Sequence, residues 1–109
     1  MNGAERIAAE RRRQVEVKRY DEAHDDSEES GAGSGNLALA AACYAASSAG
    51  TVIRDRAGCD LWPWDERHDK RSVRRRGDQS IEARIRDLEK AGALCAAEID
   101  RLERERGGS

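Results

Sequence analysis

One stretch of this chain, Leu37 to Ala49, carries no charge, although 39 % of the sequence is Asp, Glu, Lys or Arg. It reads Leu37-Ala-Leu-Ala-Ala-Ala-Cys43-Tyr44-Ala-Ala-Ser-Ser-Ala49. A helix that is apolar on every side is normally buried on every side. The segment is therefore expected at the centre of the fold, as a dry structural spine. It holds no carboxylate, so it cannot serve as a metal-bearing catalytic wall. That weighs the reading toward a binder over an enzyme.

The rest of the core material is thin. The chain has 109 residues, with six Leu, five Ile, four Val and no Phe. Its 20 basic and 22 acidic residues nearly cancel, leaving a net charge of −2. So it is not a self-repelling coil. The expected architecture is all-α: a single helical domain over residues 1–109, a small bundle of three principal helices. Small domains with little core often gain stability by association, so a homo-oligomer is predicted.

The near-zero net charge argues against general nucleic-acid binding, which needs a basic excess. No run reaches the ~18 apolar residues of a membrane span. Cys43, Cys59 and Cys95 form no CxxC pair. Together with a first segment lacking an apolar h-region, this fits a reducing cytoplasm.

Along the chain, the first helix is predicted from about Ala4 to Arg19. Ala4, Ala8, Arg11 and Val15 follow helical spacing, as do Ile7, Gln14 and Lys18 with Arg11. Arg11 and Gln14 fall beside a weak apolar stripe, facing inward or toward a partner. Tyr20 to Gly35 reads as a loop, acidic at first and then Gly-rich over 27–35. Asn36 or Ser34 is available to cap the second helix, and Gly50 to end it.

Thr51 to Asp60 reads as loop or a helical turn, since Val52 and Ile53 have no partner strand. Residues 65–79 form a charged loop, expected to be solvated. The last helix has an a/d seam of Ile81, Ile85, Leu88, Gly92, Cys95, Ile99 and Leu102. Asp78 or Ser80 caps it, and Gly107-Gly108 ends it. Ala91-Gly92-Ala93 predicts a close crossing with the alanines of the second helix.

Several constellations could carry chemistry. His24, Asp25 and Asp26 with Glu28 and Glu29 form an acidic cluster. It reads either as a polar loop or as a place for a ligand or Mg²⁺, which takes oxygen ligands. His24 and His68 have no cysteine at finger spacing, so no zinc site is expected. Trp62-Pro63-Trp64 either covers the open end of the bundle or offers stacking faces for a base or an oligomer contact. Arg74-Arg75-Arg76 reads as a solvated face. Tyr44, in the uncharged helix, needs a partner for its hydroxyl. Gly31-Ala-Gly-Ser-Gly35 lacks the preceding strand and following Lys of a phosphate loop.

Read in order, Glu10-Arg11-Arg12-Arg13-Gln14, Tyr20 with His24-Asp25-Asp26, Leu37…Cys43-Tyr44-Ala45, Leu61-Trp62-Pro63-Trp64-Asp65 and Lys90-Ala91-Gly92-Ala93-Leu94…Glu98-Ile99-Asp100-Arg101-Leu102 resemble small proteins common in tailed-phage and prophage genomes. More distantly, the opening and closing helices resemble MazG-like all-α nucleotide pyrophosphatases. Those enzymes hold Mg²⁺ with Glu-x-x-Glu on one helix and Glu-x-x-Asp on the next.

This chain departs from that pattern. Its second helix has no acid, and the third offers Glu98 and Asp100, two residues and about 200° apart. The resemblance implies the scaffold and a nucleotide pocket between protomers, but not the reaction. In a phage setting it implies sequestration of a nucleotide signal of host immunity in the cytoplasm of an infected bacterium, as anti-CBASS and anti-Thoeris sponges do.

The expected ligand contacts are Arg11, Gln14, Tyr20, His24, Asp25, Asp26, Trp62 and Trp64. Arg would grip phosphate and an aromatic ring would stack on the base. No cofactor is expected. Two alternatives stand beside this reading. One is a divergent pyrophosphatase with Glu22, Asp25, Asp26 and Glu98 on Mg²⁺. The other is a protein inhibitor of a host enzyme, acting through the last helix or the tryptophan segment.

Overall fold

The computed structural model describes residues 1–17, 35–74 and 77–107. Among these residues it is all-helical. Three helices, α1 (Gly3–Glu16), α2 (Asn36–Ser48) and α3 (Ile81–Glu105), are joined on the α2–α3 side by a loop with two short 3-10 turns, Glu66–His68 and Ser72–Arg74. Helix α3 is the hub, packing against both α1 and α2. None of the described helices is long and apolar enough to cross a membrane.

Local chemistry sets the helix ends. Asn2 caps α1 through a reciprocal box: its Oδ1 accepts the Glu5 N–H at 2.9 Å, and Glu5 Oε1 accepts the Asn2 N–H at 3.0 Å. The helix ends at Glu16, and Lys18 and Arg19 lie outside the described residues. Ser80 caps α3 by accepting the Ala83 N–H at 3.2 Å. Of the two expected caps of α2, Asn36 does not cap it and Ser34 lies outside the described residues. Asn36 is its first residue, and Gly35 precedes it in the left-handed region with no capping side chain. Gly50 closes α2 at φ 80°, as its position predicts.

Helix α2 is the most buried element, but not on every side. Leu37, Ala40, Ala41, Cys43, Tyr44, Ser47 and Ser48 are buried, whereas Ala38, Ala42, Ala45 and Ala49 are exposed. Alanine has too little side chain to make that row costly in water. The core joins Leu37, Ala40, Ala41 and Tyr44 of α2 to Ala91, Leu94 and Ala97 of α3, with Trp62 and Trp64 packed against it.

Two expectations about α1 and α3 are corrected. Ala91 and Ala97 meet the alanines of α2 as predicted, but Gly92 faces α1 instead: a Cβ added there would stand 2.6 Å from Ile7 Cδ1. The buried face of α1 is the row of Glu10 and Gln14, while Ala4, Ala8 and Val15 are exposed. The a/d seam of α3 is likewise not its core face. Asp87, Ala91, Ala93, Leu94, Ala97, Glu98 and Arg101 are buried. Ile81, Leu88, Ile99 and Leu102 are 69 %, 49 %, 60 % and 48 % exposed, and Cys95 is exposed beside them. The reason is side-chain size. The alanine row lets α2 come close, and the larger aliphatic residues are left on the opposite side.

Candidate functional site

Three places concentrate chemistry. The first lies under the loop between α2 and α3. Arg71, expected in a solvated stretch, is completely buried. Its guanidinium donates to both oxygens of two carboxylates: Nη1 and Nη2 to Asp60 at 3.2 and 2.7 Å, and Nε and Nη2 to Asp69 at 2.9 and 2.7 Å. Its central carbon lies 5.0 Å from the centroid of the Trp62 ring. Arg74 also donates to Asp60. Hydrogen bonding to Arg71 holds Asp60 well below the usual carboxylate range. Burial alone would lower the Arg71 pKa, but the two carboxylates raise it. The guanidinium therefore stays charged.

Trp62 meets Tyr44 edge-on at 5.5 Å, and Trp64 meets Trp62 edge-on at 5.7 Å. The Trp62 indole N–H donates to the Asp65 carbonyl at 3.3 Å. Both indoles thus pack within the chain, and one face of Trp62 is taken by Arg71. The Tyr44 hydroxyl accepts the Lys70 N–H at 3.2 Å, and burial pushes its pKa up to about 12. Nearby, Asp87 accepts the Ser72 N–H at 3.2 Å and the Ser72 hydroxyl at 2.6 Å. The Ser47 hydroxyl lies 3.3 Å from that of Ser72 and accepts the Val73 N–H at 3.2 Å. This chain of bonds ties the loop to both helices.

The second place is the α1–α3 junction. Glu10 is buried and accepts from Arg13 at 2.8 Å and from Arg86 at 2.6 Å. Burial pushes its carboxyl up, but the two guanidinium groups outweigh this and bring it down to about 2. Gln14 is buried, with its amide N–H₂ 3.5 Å from Glu10. Its Oε1 is buried with no hydrogen-bond partner among the described residues. Arg11 pairs with Asp100 at 3.7 Å.

The third place is the outer face of α3, where the exposed Ile and Leu residues lie in one row. Four of the chain's eleven Ile and Leu residues stand there (six Leu plus five Ile in total).

Of the eight expected ligand contacts, Arg11 and Gln14 belong to the α1–α3 junction, and Trp62 and Trp64 to the loop packed on the core. Tyr20, His24, Asp25 and Asp26 lie outside the described residues, as does Glu22. Glu98 is buried and accepts from Arg101 at 2.6 Å, while Asp100 is exposed. The two acids therefore point apart, as their spacing requires. Among the described residues no group of three or more His, Cys, Asp or Glu could hold a metal ion.

Sequence reasoning missed Asp60, Asp69, Arg71, Ser72 and Asp87. One hint was present: Ser47 and Ser48 are adjacent polar residues at the end of the uncharged helix, and polar groups in such a place need partners. Compared with known proteins, the chain matches no family model, no curated relative and no solved structure.

Proposed function

We propose that this protein acts by binding rather than by catalysis, as a self-associating helical module whose working surface is the outer face of α3. The observation that carries this reading is the exposed row of Ile81, Leu88, Ile99 and Leu102 on the longest helix. Contiguous apolar patches on small proteins mark interaction sites. Each of these side chains is about half exposed and stands to gain about 1 kcal/mol on being covered.

The core favours a second copy as the occupant. Apart from Leu37, Leu94 and Tyr44, its buried residues are alanines, so the bundle is thinly built. The buried acids support a non-catalytic role. Glu10, Asp60, Asp69 and Glu98 are neutralised by arginines of the same chain, and Asp87 is engaged by Ser72.

The test is light scattering on the full chain and on Leu88→Glu/Ile99→Glu. A wild-type dimer and a folded monomeric variant, with unchanged far-ultraviolet circular dichroism, are expected. A monomeric wild type at micromolar concentration would overturn the reading.

One observation favours a second reading. Gln14 Oε1 is a buried acceptor without a donor among the described residues, beside Arg11 on α1. An orphan acceptor of this kind costs about 1–3 kcal/mol and suits the N–H or O–H of a small ligand. With Arg11 for phosphate, this agrees with a nucleotide-like ligand and with the sequestering role that the phage resemblance implies. Native mass spectrometry after incubation with nucleoside triphosphates and cyclic dinucleotides tests it. Retention lost in Gln14→Leu supports it, and no retention across the panel removes it.

A further inference from the structure

We propose that residues 53–74 lift from α2 and α3 as one preassembled strap, latched by Ser72, while the helices beneath stay folded. The strap is bonded within itself. Arg71 joins Asp60 to Asp69, Arg74 reaches back to Asp60, and Asp60 Oδ1 accepts the Trp62 N–H at 3.0 Å. The turn before it is closed in the same way. The Leu61 N–H donates to the Ile53 carbonyl at 3.0 Å, and Asp55 Oδ1 accepts the Ala57 and Cys59 N–H groups at 2.9 Å each. Residues 60–74 thus have the form of an Ω-loop, with its ends drawn together and its own side chains packed inside.

The seam beneath the strap is polar. Among the described residues, every hydrogen bond from the strap to α2 or α3 ends on Tyr44, Ser47 or Asp87. Water can take over each of these bonds when the seam parts, so their net cost is small. Asp87 even gains by it. It is 2 % exposed, bonded to Ser72, and faces no cation within ion-pair distance among the described residues, so lifting the strap restores its hydration. Parting Arg71 from Asp60 and Asp69 would instead strand a buried charge, which costs far more. The cheapest division therefore runs along the seam and leaves the Arg71 knot whole. Trp62 and Trp64 are half-buried and leave with the strap. Gly50 and Gly77, at φ 80° and 67°, flank it and absorb the change of direction.

Cys43 reports the motion. It is completely buried, and its thiol feels the charges of Arg71, Asp60 and Asp69, which places it under the strap. In the full chain carrying Cys59→Ser/Cys95→Ser, Cys43 is the remaining thiol. An aromatic disulfide reagent is added: the Cys43 thiolate bonds to one reagent sulfur and the other leaves as a coloured thiolate. The labelling rate should hardly change at low urea and then climb steeply where the helices melt, the mark of an opening smaller than global unfolding.

Two variants locate that opening. Ser47→Ala loosens the seam and should speed labelling without urea by about tenfold. Ile7→Ala weakens the α1–α3 contact, which stays made when the strap lifts. It should lower the urea midpoint and leave labelling without urea unchanged. Labelling that tracks the circular dichroism transition at every urea concentration overturns the proposal. So does acceleration by Ile7→Ala as large as that by Ser47→Ala, or none by Ser47→Ala.

Discussion

Substituting Gly92 should change sign with its neighbour. A Cβ built at Gly92 falls 2.6, 2.7 and 2.9 Å from Ile7 Cδ1, Cγ1 and Cγ2. All three distances are below normal carbon contact, and two involve atoms fixed close to the α1 backbone. Gly92→Ala must therefore shift α1 or force Ile7 off its rotamer, an overpacking cost of about 1–3 kcal/mol. Against this stands the gain in helix propensity from removing a mid-helix glycine, about 0.5–1 kcal/mol.

Steric cost wins in the natural background, so Gly92→Ala should destabilise by about 1 kcal/mol, or roughly 4–8 °C in Tm for a domain of this size. In an Ile7→Ala background the clash is gone and the propensity gain remains. There Gly92→Ala should stabilise by about 0.5–1 kcal/mol. Urea titration followed by circular dichroism, run as a double-mutant cycle, measures the difference. If Gly92→Ala stabilises equally in both backgrounds, α1 does not rest on Gly92 and the packing argument fails.

Further outcomes follow from the polar interior. Arg71→Ala leaves Asp69 without its guanidinium partner and Asp60 with Arg74 alone, and should cost about 3 kcal/mol in urea unfolding, with loss of the near-ultraviolet signal of Trp62. Ser72→Ala removes the hydroxyl donor to Asp87 and should cost about 1–3 kcal/mol, whereas exposed Ala45→Ser should change the urea midpoint little. Glu10 has its folded pKa depressed to about 2 from 4.5. Its contribution is therefore present above pH 4.5 and is lost as pH falls toward about 2. Because Arg13 and Arg86 are partly exposed, that contribution is discounted to about 1–2 kcal/mol. Glu10→Gln should flatten the acid limb of stability by that amount, and an unchanged acid limb would contradict the pairing.

Periodicity and composition made the three helices legible, because uncharged and apolar-repeat segments announce themselves in a chain this rich in charge. The closure of α2 by Gly50 was equally readable, since it depends on one residue type at one position, and the cap of α3 was narrowed to Asp78 or Ser80, of which Ser80 serves. The facing of α3 was not. Its Ile and Leu spacing describes a seam, but spacing cannot say whether that seam meets α2 or lies outside. The size of the alanines decided it. Arg71 was hidden for a different reason. In a run of charged residues nothing marks the one whose carboxylates come from Asp60 and Asp69, and its burial follows only once the loop folds back over Tyr44. Of the expected ligand contacts, Gln14 was rightly suspected of facing inward, while the tryptophans pack within the chain.

The central claim is that the aliphatic row on α3 is a surface for a second copy. Equilibrium sedimentation of the unmodified chain through the micromolar range tests it most directly. The protomer mass is 12.0 kDa. A weight-average mass that rises with concentration toward twice that value is predicted, and a mass that stays at one protomer throughout would contradict the claim.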